Sequence, residues 1–350
     1  MKFLVKTPLS AYSGYGQDGI GILRALMNAG HDVYIQPMHV DAPLPFDVAR
    51  LLTRRLVAPF DVLLHHTDPG QLMLTPEARR AAKVTVAWTM WETRTLDNLK
   101  NRRLLPKKLK SYDLILGYDS VCAEAFRPYV RTSKLEILQG GFWPEDWKYV
   151  ERNWFSDRFG FCMVGQLHER KDPFAAIQAF QELKTELPEE FEPAELHLKT
   201  NLPTLHPAME QWIPKLRVHY DTWPQEVLYE FYSKQHVLLA PSRGEGKNLP
   251  ALEFQSTGGA VIATNWGGHT GWLDPSFAYP LNYTLAPIDG GHPFCLQARA
   301  DKDHLKELML RVFRNRAEVQ RKADLASVVI PRSMNWDSVI SRLVDKINTL

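Results

Sequence analysis

Cysteine is scarce in this chain: three in 350 residues, Cys122, Cys162 and Cys295, odd in number and without metal-ligand spacing. That excludes a disulfide framework and a cysteine-based zinc site, and the three read as reduced, mostly buried thiols of a cytoplasmic protein. No apolar run approaches the roughly 20 residues that span a bilayer. The opening M-K-F-L-V-K-T-P is too short for a signal peptide and reads as a first strand. Neither sign of charge is in excess: 42 Lys and Arg against 40 Asp and Glu leave a net +2. This argues against a general polyanion binder, though not against a local patch. Repeats, low-complexity segments and the dinucleotide fingerprint G-x-G-x-x-G are all missing.

What is present is an alternation of strands and helices. Residues 2–7, 31–36, 61–66, 83–88, 113–118 and 134–139 read as strands, and 17–29 as a helix with Ile20, Leu23, Leu26 and Met27 on one face. A second series follows at 160–165, 194–199, 217–220, 237–240 and 260–264. Such βαβ order implies parallel, doubly wound sheets, and the length suits about two domains. The expected division is 1–141, a linker at 142–157, 158–332, and a terminal helix within 333–350 striped with Val339, Ile340, Leu343, Val344 and Ile347.

The most informative stretch is P-S-R-G-E-G-K-N-L-P-A-L-E-F-Q-S-T-G-G, residues 241–259. It follows the apolar strand V-L-L-A (237–240) and turns into a helix. Asn248 suits the cap, Pro250 the first turn and Gly258-Gly259 the end. A helix N-terminus presents free N–H groups and partial positive charge. Gly244 and Gly246 let backbone come close to a ligand. A diphosphate fits such a place. Glu245 stands before the helix and Glu253 about one turn inside it, within reach of ribose hydroxyls, so the whole reads as a nucleotide-sugar pocket.

The segment resembles the E-x7-E motif of retaining glycosyltransferases of GT-B fold, in particular glycosyltransferase family 4. V-G-Q-L-H-E-R-K-D-P-F-A-A-I-Q-A-F (164–180) is similar to the unit that opens the family's C-terminal domain. S-G-Y-G (13–16) followed by G-H-D-V (30–33) is similar to its first βα unit. W-T-M-W-E-T (88–93) resembles a segment of some bacterial and phage members. The resemblance spans nearly the whole chain. It implies an α/β, GT-B architecture of two Rossmann-like doubly wound domains facing across a cleft, with the terminal helix crossing back to the first. It implies a retaining, metal-independent transferase whose donor is a nucleotide diphosphate sugar, with no cofactor.

Residue by residue, the resemblance makes Lys171 the phosphate-binding lysine, with Arg170 beside it. Glu245 would bind donor-sugar hydroxyls and Glu253 the ribose. Backbone amides of Gly246, Lys247, Asn248 and Leu249 would hold sugar and phosphate oxygens. Gln166 stands where the family carries arginine, and Arg170 and Arg243 are the cations nearby that can supply its charge. Trp223, in the D-T-W-P loop, either stacks on the base or belongs to the core. Gly14 and Gly16, with Tyr15 between them, would approach donor or acceptor. The family's N-domain histidine is missing from 83–93; Trp91 and Glu92 occupy its neighbourhood, and His65 and His66 end another strand. A front-face reaction, with the leaving phosphate taking the acceptor proton, requires no dedicated nucleophile.

Asp301-Lys302-Asp303 has the D-x-D form of metal-dependent enzymes, but its position before 305–313 reads as a helix cap. Residues 94–110 carry seven basic side chains and one acid. Three readings stand: a solvated face, a surface lying on anionic membrane with Leu96, Leu99, Leu104, Leu105 and Leu109, or a grip on nucleic-acid phosphates with a hydroxylated base as acceptor. Lipid, protein and small-molecule acceptors are equally open. The rivals to a transferase are a GT-B phosphorylase or epimerase, and a non-catalytic nucleotide-sugar-binding scaffold.

Overall fold

The computed structural model describes the chain except Tyr12, Ala42, Asn98, Lys100, Asn101 and 205–215, and of Arg102 the backbone alone. Two units divide it. The first comprises Met1–Trp143, Pro287–Leu296 and Met334–Leu350; the second comprises Pro144–Ala286 and Gln297–Ser333.

In the first unit the elements run β1 (Lys2–Leu9), α1 (Gly14–Asn28), β2 (Asp32–Val40), α2 (Phe46–Ala49), β3 (Phe60–His66), α3 (Pro76–Ala81), β4 (Ala82–Thr89), α4 (Leu105–Leu109), β5 (Leu114–Gly117), α5 (Ser120–Phe126) and β6 (Leu135–Ile137). All six strands are parallel, in the order β2-β1-β3-β4-β5-β6. The near-continuous apolar runs of β3 and β5 follow from burial on both faces, as parallel sheets require. Helix α1 starts because Ser13 Oγ accepts from Gly16 N at 3.1 Å, and it buries Ile22, Leu23 and Leu26.

The second unit holds β7 (Phe159–Val164), α6 (Pro173–Glu186), β8 (Ala194–Thr200), β9 (Arg217–Tyr220), α7 (Gln225–Ser233), β10 (Val237–Ala240), α8 (Leu249–Ser256), β11 (Ala260–Thr264) and β12 (Tyr279–Leu281). A two-stranded sheet of β13 (Tyr283–Pro287) and β14 (Leu296–Ala300), with Pro287 and Leu296 counted in the first unit, precedes α9 (Lys302–Arg314) and α10 (Arg316–Ser333). The sheet is again six parallel strands, ordered β12-β11-β10-β7-β8-β9. Its core is aromatic: Phe159 meets Phe161 and Phe313 edge-on at 5.2 and 5.6 Å, and Phe191 meets Phe313 at 4.9 Å. Asp301 caps α9, its Oδ1 accepting from His304 N at 3.0 Å.

The terminal helix α11 (Trp336–Asn348) belongs to the first unit. Trp336, Val339, Ile340, Leu343 and Ile347 lie in one core with Leu23, Leu26 and Trp88. Each such side chain contributes roughly 1.5–3 kcal/mol by burial. The indole of Trp336 rests on Gly21, where a Cβ would stand 2.2 Å from its ring.

The α/β expectation of two doubly wound sheets matches this topology. The basic segment is organised differently from an amphipathic surface helix. Leu96, Leu105 and Leu109 are buried with Tyr112 and Phe126, and Leu99 packs against them. Leu104 alone of the five leucines is exposed, beside the cations Arg103, Lys107 and Lys110. The membrane reading of this segment therefore lacks its apolar face. Asn98, Lys100 and Asn101 of that segment lie outside the described residues. Among the described residues no helix is long and apolar enough to cross a membrane.

Candidate active site

In the second sheet β7 and β10 are neighbours although β8 and β9 intervene in sequence. The connections on either side of that pair run in opposite directions, which opens a crevice beyond the strand ends where ligands bind in open α/β sheets. The loops leaving these two strands carry Lys171 and Glu245. After β7 the chain makes a single tight turn, Glu169–Lys171, and Asp172 then enters α6 as its cap with φ 47°. After β10 comes the glycine loop, then α8.

These loops bring the charged residues together. Glu245 is 5% exposed. Lys171 Nζ stands 2.5 Å from its Oε1 and Arg170 Nη1 3.2 Å from its Oε2. Arg170 also donates to the Gly244 carbonyl. Burial alone would raise the Glu245 carboxyl, but the two cations outweigh it and hold it far below the usual carboxylate range. Arg243 is committed elsewhere: Nη1 pairs with Glu169 at 2.7 Å and Nε with Asp172 at 3.1 Å. Of the two cations named for the place of Gln166, Arg170 is thus the one at Glu245, while Gln166 itself is exposed.

Glu253, in α8, is also buried, and Tyr232 OH donates to its Oε2 at 3.2 Å. Burial raises its carboxyl to about 7, against the opposing pull of Tyr232 and Lys247. Two acids eight residues apart thus stand in opposite states, one firmly ionised and one poised near neutrality. Gly246, Lys247 and Leu249 lie on the turn into α8, and Asn248 occupies the cap position with φ 65°. Its side chain makes no capping bond, contrary to the sequence reading; its Nδ2 lies 3.0 Å from His269 Nε2 instead.

That histidine was missed from sequence, as was its whole segment, N-W-G-G-H-T-G-W (265–272). It closes behind the glycine loop: Gly268 N donates to Glu245 O at 2.8 Å and Trp272 Nε1 to Lys247 O at 2.7 Å. A Cβ at Gly268 would stand 2.0 Å from Gly246 O, so no other residue fits. The signal available in sequence was the glycine pair directly after a buried strand. Trp223 is half-buried, with its ring 5.2 Å from His219 and 5.3 Å from Phe231, and Lys199 Nζ lies 5.5 Å from it. Trp223 is thus held among these side chains while part of its surface stays open.

The first unit's candidates divide. His65 and His66 are fully buried and do not face an open surface. His65 Nδ1 meets Tyr112 OH at 2.6 Å, and burial lowers its pKa to about 3. His66 bridges Thr7 Oγ1 at 2.9 Å and Tyr118 OH at 3.0 Å, and Tyr118 in turn donates to Asp18 at 2.6 Å. Gly16 has a packing reason, because a Cβ there would lie 2.4 Å from Ser10 N, whereas Gly14 borders open space. Tyr15 OH donates to Met90 O at 2.9 Å, Trp91 Nε1 donates to Thr95 O at 2.7 Å, and Glu92 is half-buried nearby in the chain.

Comparison with known proteins gives the class. Residues 158–278 match the family described as Glycosyl transferases group 1. A search of curated proteins gave no significant match. Among solved structures, the chain is similar to WaaG, a glycosyltransferase involved in lipopolysaccharide biosynthesis, at 15% identity, TM-score 0.68 and 99% coverage of each chain. It is similar to Anabaena HepE in complex with UDP-glucose at 13% identity, TM-score 0.67 and 100% coverage of each. An α,α-trehalose-phosphate synthase (UDP-forming) from Burkholderia vietnamiensis gives 13% identity and TM-score 0.69, covering 100% of this chain and 98% of that one. Residues 158–278 thus match a glycosyl transferase group 1 model, and the chain as a whole shares the GT-B fold of these structures.

Proposed function

We propose that the protein is a retaining, metal-independent glycosyltransferase that moves a sugar from a nucleotide diphosphate sugar to a hydroxyl acceptor. One observation carries this reading: Lys171 and Arg170 converge on the buried Glu245 beside the N-terminus of α8, where the strand order turns. With donor bound, the two cations turn to the diphosphate oxygens and Glu245 accepts from sugar hydroxyls. Glu253 accepts from the ribose. Fixed positive charge of this kind stabilises the leaving diphosphate without a metal. As the bond from the anomeric carbon to the diphosphate oxygen breaks, the acceptor oxygen bonds to that carbon on the same face, and the diphosphate carries off the acceptor's proton. The UDP-glucose complex of HepE supports a nucleotide-sugar donor. The exposed cations Arg103, Lys107 and Lys110 favour an acceptor hydroxyl on an anionic polymer such as nucleic acid. Three buried free cysteines fit a cytoplasmic setting.

The test is nucleotide release from UDP-, GDP-, ADP- and dTDP-sugars, beside Glu245→Gln. Release from one donor, lost in the variant, is expected. Donor binding without release, in the presence of hydroxylated duplex, lipid, protein and sugar acceptors, would move the protein to the scaffold class. Release of a sugar phosphate, or of an altered free sugar, would mark a phosphorylase or an epimerase.

A further inference from the structure

The segment 265–272 does more than close the back of the glycine loop. Its third fastening is between two side chains, both more than nine-tenths buried: Asn248 is 7% exposed and His269 1%. His269 Nδ1 lies 2.8 Å from the Thr264 carbonyl oxygen. A carbonyl only accepts, so Nδ1 carries the hydrogen. Burial lowers the imidazole to about 4, which leaves the ring neutral and Nε2 a bare acceptor. The Asn248 atom 3.0 Å from it must therefore be the donor, Nδ2. The direction of the amide follows: nitrogen toward His269, oxygen away from it.

Among the described residues the side-chain hydrogen bond of Asn248 is the one to His269, made by Nδ2. The side chain would ordinarily cap α8, yet it does not. It lines a small cavity with Lys171, Ser242 and apolar side chains at the ends of β7 and β10. An asparagine held at φ 65° in the cap position of α8, making no capping bond and tied to a buried histidine through Nδ2, keeps its acceptor oxygen out of both interactions. That oxygen repels phosphate oxygens, which Lys171 and Arg170 attract. The group it suits is a hydroxyl.

We propose that Asn248 is a specificity-determining residue which accepts, through Oδ1, a hydrogen bond from one hydroxyl of the donor sugar, and that His269 is the positioning residue which sets the amide's direction. This rests on the nucleotide-sugar reading of the site. It makes the site selective for donors bearing that hydroxyl over deoxy or phosphorylated forms, and it gives His269 an effect on donor choice without contact with the donor.

The probes are UDP-, GDP-, ADP- and dTDP-glucose, and the monodeoxy analogues of whichever binds, titrated calorimetrically against the full chain. Apart from the analogues that Glu245→Gln no longer distinguishes from the parent, the wild type should bind one analogue about tenfold more weakly than its parent. Asn248→Gly, which keeps the positive φ open, should bind parent and analogue alike. His269→Phe should lose the same discrimination, and His269→Gln, whose amide oxygen can still accept from Nδ2, should retain it. Thermal unfolding shows which variants fold, and Asn248→Gly carries the test alone if His269→Phe does not. If the wild type binds no nucleotide sugar, the donor reading fails and this inference with it. If it binds one but Asn248→Gly discriminates as the wild type does, or a folded His269→Phe does, this inference alone is overturned.

Discussion

Lys171→Met separates two roles that one ion pair could play. In the wild type a carboxylate 5% exposed has Lys171 Nζ 2.5 Å away and Arg170 Nη1 3.2 Å away. Removing one partner of a buried pair costs about 3–5 kcal/mol when nothing else meets the remaining charge. Arg170 still does, so the expected loss of stability is about 2–3 kcal/mol. Its pH dependence has a definite sign. The folded-state carboxyl of Glu245 is depressed, so its contribution is present above the unfolded value and lost as pH falls through the folded one. Without Lys171 that depression shrinks, and the gap between variant and wild type should narrow as pH drops below about 4.5. Urea unfolding at several pH values measures this. Glu245→Gln added to Lys171→Met removes the carboxylate that Arg170 alone would meet and should recover part of the stability. Turnover should fall at least about a hundredfold in each single variant, since such contacts are worth roughly 3 kcal/mol in the transition state, and the double variant should recover none of it. Binding of the free nucleoside diphosphate gives the sharpest contrast. Lys171→Met should weaken it, whereas Glu245→Gln should leave it equal or tighter, because a carboxylate competing for the cations is gone. The reasoning is refuted if Glu245→Gln weakens diphosphate binding as much as Lys171→Met, or if either variant turns over like the wild type.

Glu253, raised to about 7, must ionise to accept two ribose hydroxyls, so donor binding below that pH should release a proton, seen as a buffer-dependent heat in calorimetry and absent in Glu253→Gln. Because its folded pKa is raised, Glu253 destabilises the fold progressively as pH climbs from its unfolded value toward about 7; Glu253→Gln should therefore stabilise at about pH 8, by roughly 2–3 kcal/mol, and have little effect near pH 4.5 in urea unfolding. Arg170→Ala should weaken nucleoside diphosphate binding about tenfold or more, while Arg243→Ala, whose partners are Glu169 and Asp172, should lower the unfolding midpoint with a smaller change in affinity. Gly21→Ala places a Cβ 2.2 Å from the Trp336 ring and should destabilise by about 1–3 kcal/mol, with part of the loss recovered by Trp336→Phe.

The parallel sheets were legible because strands buried on both faces are short apolar runs with little else they can become: V-L-L-A for β10 and A-V-I-A-T for β11 are buried at every position. The same burial hid the fate of His65 and His66. With no alternation in β3, nothing local says whether its last two side chains are covered, and their partners Tyr112, Tyr118 and Thr7 come from other parts of the sheet. The leucines of 94–110 misled for a related reason. Their spacing fits one surface helix, but among the described residues only a short turn, Arg102–Leu104, and the five-residue α4 are helical, and the leucines turn onto Tyr112 and Phe126. The segment 265–272 has no period at all; its roles arise from contacts with residues 245–248, some twenty positions earlier.

Gln166 shows most clearly what a motif encodes. Read as a string, it is a lost arginine. In the fold, the tight turn Glu169–Lys171 carries the next arginine to Gly244 O and Glu245 Oε2, on the same carboxylate that Lys171 reaches. On the proposed reading the site uses two cations at a buried acid beside a helix N-terminus, and charge is then supplied through position in space rather than position in sequence. Arg170→Gln together with Gln166→Arg tests this directly. If the charge can be supplied from either place, the exchange should restore to within about tenfold the diphosphate affinity that Arg170→Gln alone removes. If the restored arginine leaves affinity at the level of Arg170→Gln, the turn after β7 has made residue 170 the sole source of that charge, and the equivalence of the two places is wrong.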